Sequence, residues 1–141
     1  MATFSKFNAF VENLAEKVHN LGSDTLKVAL TNTAPTSANT ILADITQVSN
    51  GNGYTTGGTA ATISSSAQTS GTYKLALADV VFTATGGTVG PFRYAVLYND
   101  TPTSPADPLI GYWDYGSSVT LADAETFTVD FDASLGVMTL A

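Results

Sequence analysis

The chain contains no cysteine, and histidine, arginine and tryptophan each occur once, at His19, Arg93 and Trp113. Without cysteine there is no disulfide framework, no thiolate zinc site and no cysteine nucleophile. His19 follows a helical pattern, where an imidazole commonly interacts with the negative end of the helix dipole. Because no second histidine or carboxylate cluster accompanies it, we expect neither a metal site nor general-base catalysis, and no cofactor.

Charged residues are also scarce, at 12% of the chain, and the net charge is −7. The five basic residues are scattered and form no stripe: Lys6, Lys17, Lys27, Lys74 and Arg93. A phosphate backbone is bound by clustered positive charge, so nucleic acid is not an expected partner. No apolar run approaches the length of a membrane span and no leader opens the chain, so a membrane is not an expected partner either.

The 141 residues that are present suit one domain with a genuine core. They are 44% hydrophobic, and much of the remainder is Thr, Ser, Gly and Asn. This balance favours strands and turns over surface helices. We expect an N-terminal amphipathic helix within residues 1–22 and a β-sandwich over residues 23–141, which together form a single domain.

The helical pattern lies at the start of the chain. Its apolar side chains recur at spacings of three and four, at Phe7, Phe10, Val11, Leu14, Val18 and Leu21. This stripe predicts one helix over about residues 5–21, with Gly22 as its stop. Together with Phe4, the two phenylalanines of the stripe give its front a heavy apolar load. These rings either cover one end of a β core or dock on a neighbouring subunit.

The stretch 90–100, GPFRYAVLYND, organises the remainder. Its side chains alternate with a period of two, which predicts a strand, and both of its faces carry apolar residues. We therefore expect a central strand that is covered on both sides. Arg93 interrupts one face, and we expect its guanidinium to reach a carboxylate or the rim.

Shorter alternating stretches predict the other strands. They lie at 23–31, 59–68, 73–85 (broken at 78–79), 109–115, 119–121, 125–132 and 137–140. Residues 40–48 fit either a helical turn or a broken strand. Loops are expected at 32–40, 49–59 and 101–108 from their Gly, Pro, Asn and Thr content. One helix with about eight short strands predicts a mainly β protein, an antiparallel β-sandwich that is jelly-roll-like or immunoglobulin-like.

The sequence contains only weak signals of a catalytic, metal-binding or ligand-binding site. Asp130 and Asp132 share a strand face and fit part of a calcium site or a glycosidase pair, but the calcium-loop spacing is missing. The aromatic residues Tyr112, Trp113 and Tyr115 are typical of a sugar platform, although alternation puts Tyr112 and Trp113 on opposite faces. The glycine-rich loop 49–59 lacks the Lys-Ser/Thr ending of a phosphate-binding loop. We therefore expect a protein that is not an enzyme.

Four stretches carry a resemblance to a known family. They are NLGSDTLKVALTNTAP (20–35), GNGYTTGG (51–58), GPFRYAVLYND (90–100) and PLIGYWDYGSSVTLADAETFTVDFDASLG (108–136). The chain resembles the cement, or capsid decoration, proteins of tailed double-stranded DNA bacteriophages. The resemblance implies a jelly-roll-like sandwich that self-associates as a dimer or trimer and binds joints between major capsid protein subunits. It implies a virion location, on the outer surface of the head, after assembly in the bacterial host cytoplasm.

The expected capsid or self-association interface comprises Phe4, Phe7, Phe10, Tyr54 and Trp113, with the loops 32–40, 49–59 and 101–108. Two other functions remain open at this point. One is a phage tail or baseplate component. The other is a carbohydrate-binding β-sandwich module that uses Tyr112, Trp113 or Tyr115.

Overall fold

The computed structural model describes residues 2–141, so Met1, which begins the predicted segment 1–22, lies outside the described residues. The fold is mainly β with antiparallel pairing and one α-helix, as predicted. The elements are β1 (Ser5–Lys6), α1 (Asn8–Ala15), β2 (Leu26–Thr31), β3 (Thr59–Ala61), β4 (Ile63–Thr69), β5 (Thr72–Leu77), β6 (Val80–Thr83), β7 (Val89–Asn99), β8 (Leu109–Leu121), β9 (Thr126–Val129) and β10 (Met138–Leu140).

The strands form three sheets in a sandwich-like arrangement. The largest has the order β1-β8-β7-β2-β3, the second β10-β5-β4, and the third pairs β6 with β9. One continuous apolar cluster joins residues of all three sheets, for example Val28 of β2, Leu75 of β5 and Phe82 of β6. The two smaller sheets thus cover one face of the five-stranded sheet. Phe10 and Leu21 of the N-terminal segment belong to the same cluster.

β7 is the central strand, as predicted from its alternation. It pairs with β2 on one side and β8 on the other. Ala95 and Leu97 contribute to the cluster shared by the sheets, whereas Val96 and Tyr98 belong to a second cluster on the opposite face. Successive side chains of a strand point to opposite faces, so the buried run from Ala95 to Tyr98 shows that β7 is covered on both faces.

The second face of the large sheet is covered by the segment that the sequence left ambiguous. Residues Leu42–Asp44 form a single 3-10 turn, and Leu42 and Ile45 pack with Phe7 on this face. The Asp44 carboxylate accepts hydrogen bonds from the backbone N–H groups of Thr40 and Ile41, at 2.8 and 3.2 Å. These bonds hold the pKa of the Asp44 carboxyl below its ordinary value.

The helix is shorter than predicted at both ends. Residues Ser5–Lys6 pair with Tyr112 and Gly111 as β1, so the chain is extended where the helix was expected to begin. At the other end Lys17 adopts a left-handed conformation, with φ of 69°. The N–H of Val18 donates to the Asn13 carbonyl and that of Lys17 to the Leu14 carbonyl, which completes a Schellman ending well before Gly22.

Other boundaries between elements are closer to those predicted from the sequence. The predicted break at 78–79 separates β5 from β6. Ser70 and Gly71, both with positive φ, form the two-residue turn between β4 and β5. The strands predicted at 109–115 and 119–121 belong to one strand, β8. Its pairing with β7 shifts register between Asp114 and Val119, around the exposed Gly116, which has φ of 99°.

Candidate functional site

An open groove of about 470 Å³ is bounded by β7, β8, β9 and the loop 130–137. Its lining is rich in aromatic side chains: Phe4, Phe92, Tyr94, Trp113, Tyr115, Phe127 and Phe131. We call this feature the aromatic groove. It is the strongest candidate for a functional site in the part of the chain that the structure describes.

The aromatic groove is built by ring contacts across elements that are far apart in sequence. Trp113 and Tyr115 are two residues apart on β8 and therefore share a face. The Trp113 ring lies 5.4 Å from that of Phe131, and the Tyr115 ring lies 5.3 Å from that of Phe127 in an edge-on arrangement. Such separations and tilts are favourable for aromatic pairs. The two walls thus hold each other at a fixed spacing.

Phe4 reaches the groove because β8 has a glycine beneath it. Its ring centroid lies 5.2 Å from that of Trp113. A Cβ atom at Gly111 would collide with the Phe4 ring and would stand 2.9 Å from the Ser5 carbonyl oxygen. The missing side chain at Gly111 therefore makes room for both the Phe4 ring and the β1 backbone.

A tight turn in the loop 130–137 forms the rim. The Asp132 side chain accepts hydrogen bonds from the N–H groups of Ser134 and Leu135, both at 2.8 Å. Gly136 follows with φ of +78°, and a Cβ there would lie 2.7 Å from the Leu75 carbonyl oxygen. Only glycine fits this position without strain. The turn leaves Leu135 69% exposed at the edge of the groove.

One ion pair marks the polar side of the groove. The Arg93 guanidinium bonds both oxygens of Asp114, from Nε to Oδ1 at 2.7 Å and from Nη2 to Oδ2 at 2.9 Å. The expectation that Arg93 reaches a carboxylate is therefore confirmed. Hydrogen bonds from Arg93 lower the pKa of the Asp114 carboxyl, and the same contact raises the pKa of the Arg93 guanidinium.

The groove has an acidic bias as a result. Arg93 is the one cationic side chain among the groove-lining residues, and Asp114 already pairs with it. Asp130 and Asp132 line the same groove without a cationic partner. A partner that enters the groove therefore meets aromatic rings with negative charge beside them.

The predicted interface residues divide into two groups. Phe4 and Trp113 lie together in the aromatic groove. Phe7, Phe10 and Tyr54, in contrast, are buried in the core and at most 3% exposed. Their side chains present no surface to a partner in this fold, because the sheets and the 3-10 turn cover them.

The three buried aromatics have structural contacts instead. The Phe7 ring packs on Tyr112, and the Phe10 ring packs on His19, each at 5.2 Å between centroids. The Tyr54 hydroxyl accepts a hydrogen bond from the Leu30 N–H at 3.1 Å and donates one to Gln47 Oε1 at 2.8 Å. Tyr54 thereby fastens the glycine-rich loop 49–59 to β2.

The predicted contact loops lie away from the groove. The loops 32–40 and 101–108 meet next to β8, where the Leu109 N–H donates to the Thr40 carbonyl. The loop 49–59 is held from a different side, since the Tyr98 hydroxyl donates to the Gly57 carbonyl at 2.6 Å. No residue of these three loops lines the aromatic groove.

Sequence reasoning did not select Phe127 or Leu135 for the site. Phe127 was recognised only as an alternating strand residue, and its contact with Tyr115 joins residues on separate strands. Leu135 lies between the strands predicted at 125–132 and 137–140, and an apolar residue in such a short connection is the one signal that could have indicated it. Tyr112 faces Phe7 on the opposite side of β8, so it is separated from Trp113, as its alternation predicts.

Among residues 2–141, no group of three or more His, Asp or Glu side chains is arranged to hold a metal ion. Over the same residues, the structure has no helix with both the length and the apolar character to cross a membrane. Comparison of the chain with protein-family models, with curated proteins and with solved structures finds no match.

Proposed function

We propose that this chain is a non-enzymatic structural protein of a tailed-phage virion, on a jelly-roll-like sandwich scaffold. In this proposal it binds the outer surface of the head and stabilises it by bridging major capsid protein subunits. The aromatic groove is the observation that carries the proposal, as the surface that contacts the partner. The longest stretch that resembles cement proteins, 108–136, covers β8, β9 and most of the loop 130–137, which build that groove.

The lining of the groove suits a protein partner. Tyr115 is 57% exposed at the groove, with Leu135 on the rim and Trp113 deeper inside. Contiguous apolar surface of this kind on a folded chain marks interaction sites. Aromatic anchors in a pocket surrounded by polar groups also supply most of the binding energy at protein interfaces.

A capsid cement protein needs no catalytic chemistry, because binding alone can stabilise the shell. A protein that binds only the assembled shell stabilises it by mass action, in proportion to its affinity and concentration. Its groove must be formed before binding, because ordering side chains on association weakens affinity. The ring contacts of Trp113 with Phe4 and Phe131 and the hydrogen-bonded turn at Asp132 support such preorganisation.

The first experiment is to count copies of this chain in purified virions of the phage that encodes it. Quantitative mass spectrometry against the major capsid protein gives the ratio. A ratio near one to one fits cement over the whole shell. A few copies per hundred capsid subunits fits the tail or baseplate alternative, and complete absence from virions contradicts a structural role.

A second experiment addresses the groove itself. The double variant Tyr115→Ala/Leu135→Ala removes the two exposed apolar side chains at the rim, and we expect capsid binding to weaken by about tenfold or more. Val81→Ala is the matched control, because Val81 is 51% exposed on β6 and outside the groove. Co-sedimentation with shells that lack the chain measures both. Equal binding by the double variant and the control would remove the groove from the proposal.

Carbohydrate binding is a second candidate, favoured by one specific observation. Trp113 and Tyr115 line one groove together with Asp130 and Asp132, and aromatic faces with carboxylates are typical of sugar sites. Glycan-array binding that Trp113→Ala abolishes would favour this candidate. The Trp113 ring is already in contact with Phe4 and Phe131, which leaves less of it for stacking on a sugar.

A further inference from the structure

The outer edge of β4 is an unpaired sheet edge. β4 spans seven residues, Ile63–Thr69, and ends its sheet with β5 on one side only. The strands at the other sheet ends, β1, β3, β6, β9 and β10, have two to four residues each. β4 is longer than any of these end strands and can form several main-chain hydrogen bonds with another strand. β8 also has an open edge over residues 113–121, beyond its two pairs with β1, but that edge carries Asp114 and a shift of register against β7.

This edge carries few of the usual protections. Proteins normally guard an exposed edge with charged side chains, proline, or bulges. β4 contains neither a charged residue nor a proline, and its one irregularity, between Ile63 and Ser65, leaves Ser65–Thr69 in regular pairing with β5. The side chains of Ser65 and Ala67 are exposed.

The backbone of β4 offers donors and acceptors to the outside. In an antiparallel pair, every second residue directs its N–H and C=O groups away from the partner strand. The two-residue turn at Ser70 and Gly71 makes Thr69 and Thr72 a hydrogen-bonded pair, so Ser66 and Gln68 are the residues whose backbone groups point outward. These groups can be satisfied by a strand of another chain.

The absence of charge along this edge makes a second copy of this chain a suitable partner. Two copies of this protein, each with net charge −7, repel each other over most approaches. Residues 45–73, however, contain no charged side chain at all, and β4 lies within them. The β4 edge is thus a surface along which two copies can meet without placing like charges together.

We propose that a second copy of this chain pairs antiparallel along β4. A two-fold axis between the paired strands gives the same contacts to both copies, as in an isologous dimer. The two three-stranded sheets then become one sheet of the order β10-β5-β4-β4-β5-β10. The proposal does not depend on capsid binding, and it leaves the aromatic groove, on other strands, free for a partner.

Molar mass in solution tests the dimer. The monomer has a mass of 14.6 kDa, and light scattering across a wide range of protein concentrations should rise to about twice that value for the natural chain. Added salt should promote dimerisation, because it screens the repulsion between the two negative copies. A mass that stays at 14.6 kDa at every concentration and salt level overturns the proposal.

Variants of exposed residues on β4 test whether the dimer forms along the β4 edge. Ser65→Lys/Ala67→Lys places like charges close to each other across the two-fold axis and should keep the chain monomeric. Val81→Lys/Thr83→Lys is the matched control, since it adds two lysines at exposed positions of β6 and gives the same net charge of −5 (−7 plus two). The control should dimerise like the natural chain. A dimer that survives Ser65→Lys/Ala67→Lys also overturns the proposal.

Hydrogen exchange of the natural chain gives a reading that needs no variant. The amides of Ser66 and Gln68 should become protected as concentration rises and the dimer forms. Association with no added protection at these two amides would place the interface elsewhere and contradict pairing along β4.

Discussion

His19 is a buried side chain whose hydrogen bonding is incomplete. Its Nδ1 lies 3.2 Å from the Asn99 amide nitrogen, which also donates to Asp24 Oδ2 at 2.7 Å. Nδ1 is therefore the acceptor and the ring proton lies on Nε2, which has no partner among the described residues. The helix-dipole role expected from the sequence does not apply, because α1 ends at Ala15 and His19 packs against Phe10 instead.

We predict that acid destabilises the fold through His19. Burial lowers the pKa of the His19 imidazole from 6.5 to about 4, and the nearby Asp24 carboxylate offsets this only in part. Above pH 6.5 the ring is neutral in both the folded and the unfolded chain. Between 6.5 and about 4 only the unfolded chain gains a proton there, so the free energy of unfolding should fall by up to about 3 kcal/mol.

Urea denaturation at a series of pH values measures this effect. His19→Gln keeps a polar side chain that cannot be protonated, and the variant should lose this part of the pH dependence while the carboxylates keep theirs. Parallel stability curves for the natural chain and His19→Gln between pH 6.5 and about 4 would contradict the assignment.

At the scale of elements, α1 has one face in the core and one face in solvent, and two adjacent residues mark the difference. Phe10 is buried and Val11, its neighbour, is 52% exposed. We predict that Phe10→Ala lowers the free energy of unfolding by about 3–4 kcal/mol, because it removes a ring from the core and leaves a cavity. Val11→Ala should change it by about 0.5 kcal/mol or less.

Chemical denaturation of the two variants provides the measurement. Similar stabilities for Phe10→Ala and Val11→Ala would mean that the helix does not pack as described. The result also bears on partner binding, because a large loss of stability in Phe10→Ala would show that Phe10 acts in the core and not as a contact residue.

The strands were predictable from sequence where a local pattern was sufficient. The alternation in residues 90–100 predicted a central strand, which the structure shows as Val89–Asn99, and the break at 78–79 was visible as an interruption of the apolar run. The helix limits were not, because the pairing of Ser5–Lys6 with β8 is a tertiary contact. The early stop at Lys17 was hidden as well, since a lysine rarely adopts the left-handed conformation.

The candidate site was only partly predictable for the same reason. Trp113 and Phe4 were selected for their aromatic character, and the structure brings them together. Tyr54, chosen on the same grounds, is buried, because its hydroxyl fastens a loop to β2. The sequence does not encode directly which aromatic residue meets which, since the contacts of Trp113 with Phe4 and Phe131 span most of the chain.

On the scale of the whole molecule, the central strands of the large sheet are covered on both faces, whereas its end strands, β1 and β3, have only two and three residues. We predict that amide hydrogen exchange is slowest in β2 and β7, whose amides should open only with global unfolding. The free energy from their exchange should then equal that from denaturation. The two-residue strand β1 should exchange much faster. Rapid exchange throughout β7 would contradict the two-sided covering.

The position of the single tryptophan has an optical consequence. Light at the red edge of the protein absorption band excites Trp113 almost alone, although six tyrosines are present. Its indole lies in the aromatic groove and is partly exposed, so its emission depends on whether water or a bound partner surrounds it. A shift of that emission to shorter wavelength on mixing would report occupation of the groove directly, without any label attached to the protein.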